Sequence, residues 1–376
     1  MAKYIWQLDG WQGVNSPQFV WQAGPLEPLV VQLQNALNEF LPPDAGLVPD
    51  AQIQVHIDTL VQTATRSSEI EGEVLDARSV RSSVVNKLGL ESAGVSDAGT
   101  AQTDALAELL IAATTQLSDP VTLSMLCEWQ AALFVNPNPL LTINVGSLRG
   151  DEPMQVVSGR IDQPVVHFEA SPGNTLEAEL ERFIRWFNNP PDDLNSYVRA
   201  AITHLWFVTL HPFDDGNGRV TRALADRALA QAENNQIRFY SHSAAIMARR
   251  NEYYSLLEKT QKGTLEITDW LQWFLTTLVE SVALSKTRFD QVLYKTRFWQ
   301  RHAQTVLNER EVKVLNRLLD SHGEEFIDGI NASKYRSLAK VSKATATREL
   351  ADLVKKECLV KLPGGGRSTR YGLVVI

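Results

Sequence analysis

The chain has 376 residues, more than one hydrophobic core usually serves, so two or three domains are expected. Hydrophobic residues make up 44% and charged residues 21%, which is ordinary for a globular protein and argues against long disordered tracts. The start lacks a secretory apolar region, and no stretch approaches the roughly 18 to 20 apolar residues of a membrane helix. We therefore expect a cytoplasmic protein without membrane contact.

Charge is spread unevenly along the chain, whose formal net charge is −8. Residues 331–376 hold ten Lys and Arg against three Asp and Glu, a net charge of +7, whereas the remainder holds 26 against 41, a net charge of −15. The acidic bulk and the basic tail are expected to have different roles. Cys127 and Cys358 lie far apart in the sequence, so we interpret them as apolar fillers rather than a disulfide or zinc ligands.

Apolar residues at helical spacing predict a mainly α protein. The predicted helices are 25–41, 51–75, 104–116, 121–134, 176–187, 194–210, 220–231, 248–261 and 267 to about 302. Between them, short strands at 154–157 and 165–168 predict a hairpin within segment 145–172. Residues 89–103, rich in Ser, Gly and Ala, are expected to form a loop.

The C-terminal segment has a separate pattern, in which three helices and a two-stranded ribbon predict a winged helix-turn-helix. Its helices are predicted at 309–319, 332–338 and 344–356, and its strands at 359–362 and 370–375. The domains expected are an N-terminal helical region at 1–100, a core with the hairpin at 101–300, and the winged helix at 301–376.

The predicted winged helix presents polar and basic side chains on its recognition helix and wing. These are Thr345, Thr347, Arg348, Arg367 and Arg370. With the local charge of +7 they suit contacts with DNA phosphates. Winged helices also serve as protein-docking or dimer modules, so DNA binding, protein docking and a homodimer all remain open.

The segment HPFDDGNGRVTR at 211–222 concentrates one histidine, two carboxylates, an amide, two glycines and two arginines. It follows an apolar helix and precedes a helix expected to begin near Gly218 or Arg219, so it feeds a helix N-terminus that attracts anions. Gly216 and Gly218 let the backbone approach phosphate oxygens, and Asn217 between them can donate its amide. The loop therefore has the groups needed to cradle an anion.

The charged members of the loop suit phosphoryl chemistry. Arg219 and Arg222, three residues apart, are expected to point at a polyphosphate. Asp214 or Asp215 offers the hard oxygen ligand that a nucleotide-bound Mg²⁺ prefers. His211 can accept a proton from an attacking hydroxyl at neutral pH. A purely structural helix–loop–helix corner is the alternative, but it gives no reason to gather these groups around one histidine.

This segment resembles the signature of Fic-domain proteins, HxFx(D/E)GNGRxxR, and matches it at every defined position. The similarity extends over roughly residues 69–285. It implies a Fic-type helical bundle with a hairpin flap, in which His211 is the general base and Asp215 holds Mg²⁺. The ATP phosphates would then be bound by Gly216, Asn217, Gly218, Arg219 and Arg222.

The implied reaction transfers AMP from ATP to a Ser, Thr or Tyr hydroxyl of a protein target, with self-modification included, and releases pyrophosphate. Asp214, at the variable position, is interpreted as a loop cap. Another nucleotide donor is an alternative, because relatives with nearly the same loop use different donors. A DNA-binding regulator whose Fic body senses nucleotide without turnover is a second alternative.

Further segments also resemble features of the family. The hairpin at 149–168 resembles the flap, which pairs with an extended target; its Met154, Val156 and Val157 are expected to contact adenine or target, with packing on the core as the alternative. Tyr254 resembles the tyrosine beside adenine. Gln261 stands where relatives often have Asn, which leaves its contact with the nucleotide open.

The residues from Ser67 to Gly72 match the inhibitory motif (S/T)xxxE(G/N) of the class with an N-terminal inhibitory helix. Within the predicted helix 51–75, Glu71 falls on an apolar face, where a carboxylate needs a partner. The resemblance implies that Glu71 pairs with Arg222 and denies it to the γ-phosphate, and Ser67 is expected to hold Glu71 through its hydroxyl. In some relatives this glutamate also activates water for AMP removal. A plain surface glutamate is the alternative.

Overall fold

The computed structural model describes residues 3–13, 16–40, 49–90, 99–135, 143–160, 163–320, 326, 328–363 and 369–374. The chain folds into two compact units; the larger ends at Ser285, and the smaller comprises mainly Lys286–Ile376. The finer division at residues 100 and 300 stays a prediction. None of the helices in the described ranges is long and apolar enough to cross a membrane.

The larger unit is built almost wholly from helices, which confirms the mainly α expectation. Its helices are α1 Glu27–Phe40, α2 Pro49–Ile70, α3 Ala77–Lys87, α4 Ala101–Thr115, α5 Leu123–Ala132, α6 Gly173–Asn188, α7 Ser196–Leu210, α8 Asn217–Glu233, α9 His242–Ala248, α10 Arg250–Gln261 and the first half of α11 Thr268–Arg301.

Two of these helices, α3 and α9, were not predicted. Each begins at a capping side chain: Asp76 accepts hydrogen bonds from the backbone N–H groups of Arg78 and Ser79, and Ser241 accepts one from Ala244. Such caps satisfy free donors of a first turn. Helix α2 also ends earlier than predicted, at Ile70, so the expected helix 51–75 is wrong at its C-terminus.

The core of the larger unit is centred on α7, which is buried along its whole length from Tyr197 to Leu210. Phe183 of α6 packs against two of its rings, with centroid distances of 5.3 Å to Trp206 and 5.4 Å to Phe207. Burying one such ring stabilises the fold by about 1.5–3 kcal/mol. Helix α7 is thus a rigid support for the loop that follows it.

The predicted hairpin is present as β1 Gln155–Arg160 and β2 Gln163–Glu169, an antiparallel pair longer than expected. Its base packs on the N-terminal segment, where Tyr4, Phe168 and Ala170 form a small buried cluster with half-buried Met154. The register shifts by one residue between Val156 and Val157, because Val156 pairs with Phe168 while Val157 pairs with Val166.

The smaller unit contains the elements predicted for the C-terminal segment. These are α12 Glu309–Asp320, α13 Ala332–Ala339, α14 Lys343–Lys355, β3 Leu359–Lys361 and β4 Tyr371–Leu373, and the unit also includes the second half of α11. A separate cluster of buried residues, including Leu315, Tyr335 and Leu350, forms its core. Its Cys358 is buried, whereas Cys127 of the larger unit is half-buried. Assignment of this unit as a winged helix stays a prediction.

Candidate active site

The loop between α7 and α8 is short and strongly constrained. His211 caps α7 in the left-handed conformation, with φ of +49°, and Gly216 precedes α8 with φ of +85°. A Cβ on Gly216 would lie 2.8 Å from Leu133, so this position requires glycine for conformation and for space. Helix α8 begins at Asn217, slightly earlier than predicted.

His211 is held in one tautomer. Its Nδ1 lies 3.1 Å from the carbonyl oxygen of Val208, and because a carbonyl can only accept, Nδ1 carries the proton and leaves the lone pair on Nε2. Burial lowers the pKa of His211 below its ordinary value, against the opposing effects of the Val208 bond and of Glu71. The imidazole is therefore neutral at pH 7, as a proton acceptor must be.

Asn217 fixes the loop through its side-chain amide. Its Oδ1 accepts from the backbone N–H of Phe213 at 2.9 Å, and its Nδ2 donates to the Phe213 carbonyl at 2.7 Å. One of the two Nδ2 N–H donors is thus used by the backbone of buried Phe213, and the expectation that this amide donates to phosphate oxygens stays a prediction for the other.

Distant side chains that the sequence did not reveal also hold the loop. Arg149, before β1, donates from Nε to the carbonyl of His211 at 2.8 Å and from a guanidinium N–H to Ser171 at 2.5 Å. Gln130 of α5 donates to the carbonyl of Asp215. Asp214 accepts from the backbone N–H of Asn144 at 2.8 Å, which agrees with its interpretation as a loop cap.

The end of α2 brings Glu71 to Arg222. Gly72, with φ of +87°, lets the backbone N–H groups of Gly72 and Glu73 bond back to Glu69 and Ser68, which is a Schellman ending. Glu71 thus stands in the turn after the helix, where its Oε1 lies 2.8 Å from a guanidinium nitrogen of Arg222.

Ser67 has a different partner from the one expected. Its hydroxyl accepts from Nε of Arg222 at 2.8 Å, and its carbonyl accepts from another guanidinium N–H at 2.7 Å. The expectation that Ser67 holds Glu71 is wrong. Ser67, in the last turn of α2, and Glu71, in the turn that follows, instead bind the same arginine, whose side chain is only 3% exposed.

The charge of Glu71 is stabilised despite its surroundings. Burial alone raises the pKa of Glu71. Arg222, with smaller effects from Arg219 and His211, lowers it by more than burial raises it, so the pKa of Glu71 lies below its ordinary value. The carboxylate lies directly over Gly218, where a Cβ would be 2.0 Å from Oε1. An anion already occupies the start of α8, where free N–H groups and the helix dipole favour negative charge.

A second glutamate, Glu73, holds the other arginine of the loop. Its Oε2 lies 2.7 Å from a guanidinium nitrogen of Arg219, and its Oε1 accepts a bond from Gln102 at 2.5 Å. The Arg219 guanidinium also lies over the ring of Phe134, 5.3 Å from the centroid. Both arginines predicted to hold phosphates are therefore engaged by the segment after α2.

The loop opens on a cavity of about 670 Å³. The predicted site residues that line it are Glu71, Val156, Val157, His211, Asp215, Gly216, Asn217, Gly218, Tyr254 and Gln261. Met154 does not line the cavity and packs against the Tyr4–Phe168 cluster, which agrees with the alternative of packing on the core; its contact with a target stays a prediction. The cavity size fits a nucleotide-sized ligand.

The two α10 residues are held at the cavity wall. The Tyr254 hydroxyl donates to the Ile70 carbonyl at 3.1 Å and lies 3.4 Å from Glu71. Gln261 is buried and donates from Nε2 to the hydroxyl of Thr209 at 3.2 Å. Tyr253 is a core residue, 1% exposed, whose hydroxyl bonds His204 at 3.0 Å.

One carboxylate is available for a metal. Within the described ranges, no group of three or more His, Cys, Asp or Glu side chains could hold a metal ion. Mg²⁺ commonly takes one or two protein carboxylates plus substrate phosphates. Asp215 fits that role, because its side chain is 58% exposed and lines the cavity.

The predicted nucleic-acid contacts of the smaller unit are partly available. Thr347 and Arg348 are exposed on α14, and Thr345 is half-buried beside the capping residue Ser342, with 3.0 Å between their hydroxyl oxygens. Arg370 pairs with Asp328 at 3.7 Å. The predicted contact Arg367 lies outside the described residues.

Comparisons with known proteins agree with this geometry. Residues 120–229 match the model of the Fic/DOC family, and residues 4–90 match that of a domain of unknown function, DUF4172. A protein adenylyltransferase Fic of Culex quinquefasciatus is 26% identical over 234 residues, which is 62% of this chain and 42% of that relative. One of Drosophila yakuba is 33% identical over 100 residues, 26% of this chain and 19% of the relative. The chain thus spans less than half the length of these curated relatives.

Solved structures show the same fold. A Fic family protein from Desulfovibrio desulfuricans G20 has a TM-score of 0.53 and 18% identity, covering 93% of this chain and 96% of that one. Fic-1 from C. elegans has a TM-score of 0.51 and 19% identity, covering 73% of this chain and 74% of that one. The family match over residues 120–229, the loop and the fold agree, so this part of the chain is similar to Fic-domain proteins.

Proposed function

We propose that this chain is an autoinhibited protein adenylyltransferase that moves AMP from ATP to a hydroxyl of a protein target. The observation that carries the proposal is a neutral His211, with its lone pair on Nε2, at the edge of a cavity that also contains the start of α8. The Culex and Drosophila relatives are named as protein adenylyltransferases, which supports the same activity here.

The nucleotide is expected to place its phosphates at the start of α8. The free N–H groups of the first turn and the absence of a Cβ at Gly216 and Gly218 suit close approach of anionic oxygens. Asp215 would hold Mg²⁺, whose charge offsets that of the phosphates. Tyr254 and Gln261, on the wall formed by α10, are proposed to bound the adenine.

The chain's own residues supply positioning and proton transfer. The target hydroxyl donates its proton to Nε2 of His211, its oxygen forms a bond to the α-phosphorus, and the bond to the β-phosphate oxygen breaks, so pyrophosphate leaves. Arg149 fixes the position of His211 by donating a hydrogen bond to the backbone carbonyl of that histidine. The hydrogen bonds between the Asn217 side chain and the Phe213 backbone keep the loop rigid. Catalysis would rest mainly on this geometry.

Autoinhibition is proposed to act through the two glutamates after α2. Glu71 neutralises Arg222 and lies where an anionic phosphate would approach α8, while Glu73 engages Arg219. ATP can recruit these arginines only after the carboxylates leave them. The lowered pKa of Glu71 keeps the carboxylate ionised at neutral pH, as the ion pair with Arg222 requires. In AMP removal the same carboxylate is proposed to accept a proton from water once it has left the arginine.

The target is proposed to dock on the hairpin as an added strand. Val157 and Val165 are 52% and 55% exposed on neighbouring strands, and an exposed edge of a two-stranded sheet pairs readily with an extended segment. This arrangement would bring a target hydroxyl toward the cavity that Val157 lines. A protein partner with an extended Ser, Thr or Tyr segment therefore fits the site.

Transfer from α-labelled and γ-labelled ATP tests the proposal. The parent, Glu71→Gly and the Glu71→Gly, His211→Ala double variant are incubated with Mg²⁺ and each ATP. Protein-bound α-label is expected to be low in the parent, high in Glu71→Gly and absent from the double variant. Bound γ-label without α-label would show phosphate transfer and overturn AMP as the transferred group.

A second function, docking of nucleic acid by the smaller unit, is favoured by one observation. Helix α14 exposes Thr347 and Arg348 within a segment of net charge +7. A winged-helix arrangement would place such a helix against DNA. A DNA probe whose binding weakens with salt and with Arg348→Ala would support this function; binding unaffected by either change would not.

A further inference from the structure

A row of three hydrogen-bonded side chains, outside the loop at 211–222, lines the same cavity. The Ser158 hydroxyl of β1 lies 2.5 Å from Nε2 of His167 in β2, and Nδ1 of His167 lies 2.7 Å from a carboxylate oxygen of Glu258 in α10. All three residues line the cavity that contains His211. A hydroxyl, an imidazole and a carboxylate therefore stand in line beside the proposed nucleotide site.

The register shift of the hairpin creates this row. Because Val156 pairs with Phe168 and Val157 with Val166, His167 is the extra residue of a β-bulge. A bulge bends the strand locally and re-aims a side chain, and bulges are common beside active sites. Here the extra residue reaches a serine on the facing strand and a glutamate on a separate helix.

The proton positions in the row follow from its chemistry. An ionised carboxylate can only accept, so Nδ1 of His167 carries the proton and Nε2 accepts the hydrogen of the Ser158 hydroxyl. Glu258 is also bonded by Lys262 at 2.5 Å, which lowers the pKa of Glu258 more than His167 does, while burial opposes the shift. A serine whose proton is held by a histidine, itself oriented by a carboxylate, is an activated nucleophile.

We propose that Ser158 is a self-modification site that accepts the nucleotidyl group in its own active-site cavity. The Ser158 oxygen forms a bond to the α-phosphorus of the nucleoside triphosphate, and the bond to the β-phosphate oxygen breaks. Pyrophosphate leaves, and the serine proton passes to Nε2 of His167. This inference rests on the nucleotidyl transfer proposed above, and it adds the acceptor and a base distinct from His211.

Modification at this position would change target binding. Ser158 is exposed and adjacent to Val157, on the strand proposed to receive the target. A phosphodiester with an attached nucleoside adds a negative charge and bulk to that strand. Modified protein is therefore expected to transfer less AMP to an external target than unmodified protein does.

Peptide mapping by mass spectrometry tests the site in the full chain. Glu71→Gly protein is incubated with ATP and Mg²⁺, digested, and searched for AMP-bearing peptides. The expected result is AMP on Ser158, its loss in Ser158→Ala, retention in Ser158→Thr, and a fall of at least tenfold at Ser158 in His167→Gln. Ser255→Ala, which removes a different exposed serine of the cavity wall, is the matched control and should keep the label.

The outcomes separate the two claims. AMP found on another hydroxyl, with unchanged yield in Ser158→Ala, overturns the self-modification site and leaves AMP transfer in place. Transfer of no nucleotide to any residue overturns the proposed function and this inference with it. An unchanged yield on Ser158 in His167→Gln shows that a different group takes the proton and overturns the role of His167.

Discussion

Replacing Glu71 with glutamine is expected to destabilise the larger unit while the shape of the side chain is kept. The change removes a charged bond of 2.8 Å to Arg222, whose side chain is 3% exposed. Breaking one side of a buried pair costs about 3–5 kcal/mol. Because Glu71 is 31% exposed and Ser67 still holds the arginine, we expect about 1–2 kcal/mol.

Calorimetric melting of the parent and Glu71→Gln proteins at pH 7, with and without ATP and Mg²⁺, measures this effect. A loss of that size lowers the melting temperature by roughly 2–8 °C. Glu69→Gln is the matched control: its partner Arg66 is 47% exposed and Glu69 is 36% exposed, so the loss should stay below about 0.5 kcal/mol. ATP should stabilise Glu71→Gln more than the parent, because in the variant no carboxylate at position 71 competes with the ATP phosphates for Arg222.

The pH dependence follows from the lowered pKa of Glu71. A carboxylate with a depressed pKa contributes stability above its ordinary value of 4.5 and loses it as pH falls through the folded pKa. The difference between parent and Glu71→Gln should therefore be constant near neutrality and shrink below about pH 4.5. Equal melting temperatures at pH 7, together with equal stabilisation by ATP, would refute the reasoning.

Three further substitutions test the site. In the Glu71→Gly background, His211→Ala should lower AMP transfer by about 10²- to 10⁴-fold with calorimetric ATP affinity unchanged; lost affinity would point to a binding role instead. Gly218→Ala should lower the melting temperature of the parent more than that of Glu71→Gly, because the new Cβ would lie 2.0 Å from the Glu71 carboxylate; equal shifts would contradict this. Glu73→Gln should raise ATP affinity about three- to tenfold by releasing an arginine, and an unchanged titration would argue against a second restraint.

The loop at 211–222 was largely predictable because its functional groups are contiguous in the sequence. One histidine, two glycines and two arginines within twelve residues indicate an anion site whatever surrounds them. The use of Asn217 was not predictable in the same way, because an amide between two glycines can serve a ligand or its own backbone. The structure shows the second, through the peptide of Phe213.

Contacts between segments that are distant in the chain could not be predicted from the sequence. Arg149 bonds the carbonyl of His211 across 62 positions, and Arg219 bonds Glu73 across 146. Such pairs depend on how helices pack, which local periodicity does not specify. The hairpin bulge at His167 is a similar case, since the alternation of residues in a strand does not announce an extra residue.

Some misses had a signal in the sequence. A glycine just beyond the last helical turn is typical of a Schellman ending, and Gly72 lies two residues after Ile70. The end of α2 could therefore have been predicted from the sequence. Asp76 and Ser241 are good capping residues before helices α3 and α9. In each case the capping residue marks the helix boundary, whereas the apolar periodicity alone does not.

Intact-mass spectrometry of the parent and Glu71→Gly proteins, after incubation with Mg²⁺ and each nucleoside triphosphate in turn, tests the central claim most directly. The account predicts an added mass of AMP on Glu71→Gly in ATP, little on the parent, and none when His211→Ala is combined with it. An added mass of UMP or of phosphate without AMP, or equal modification of parent and Glu71→Gly, would contradict it.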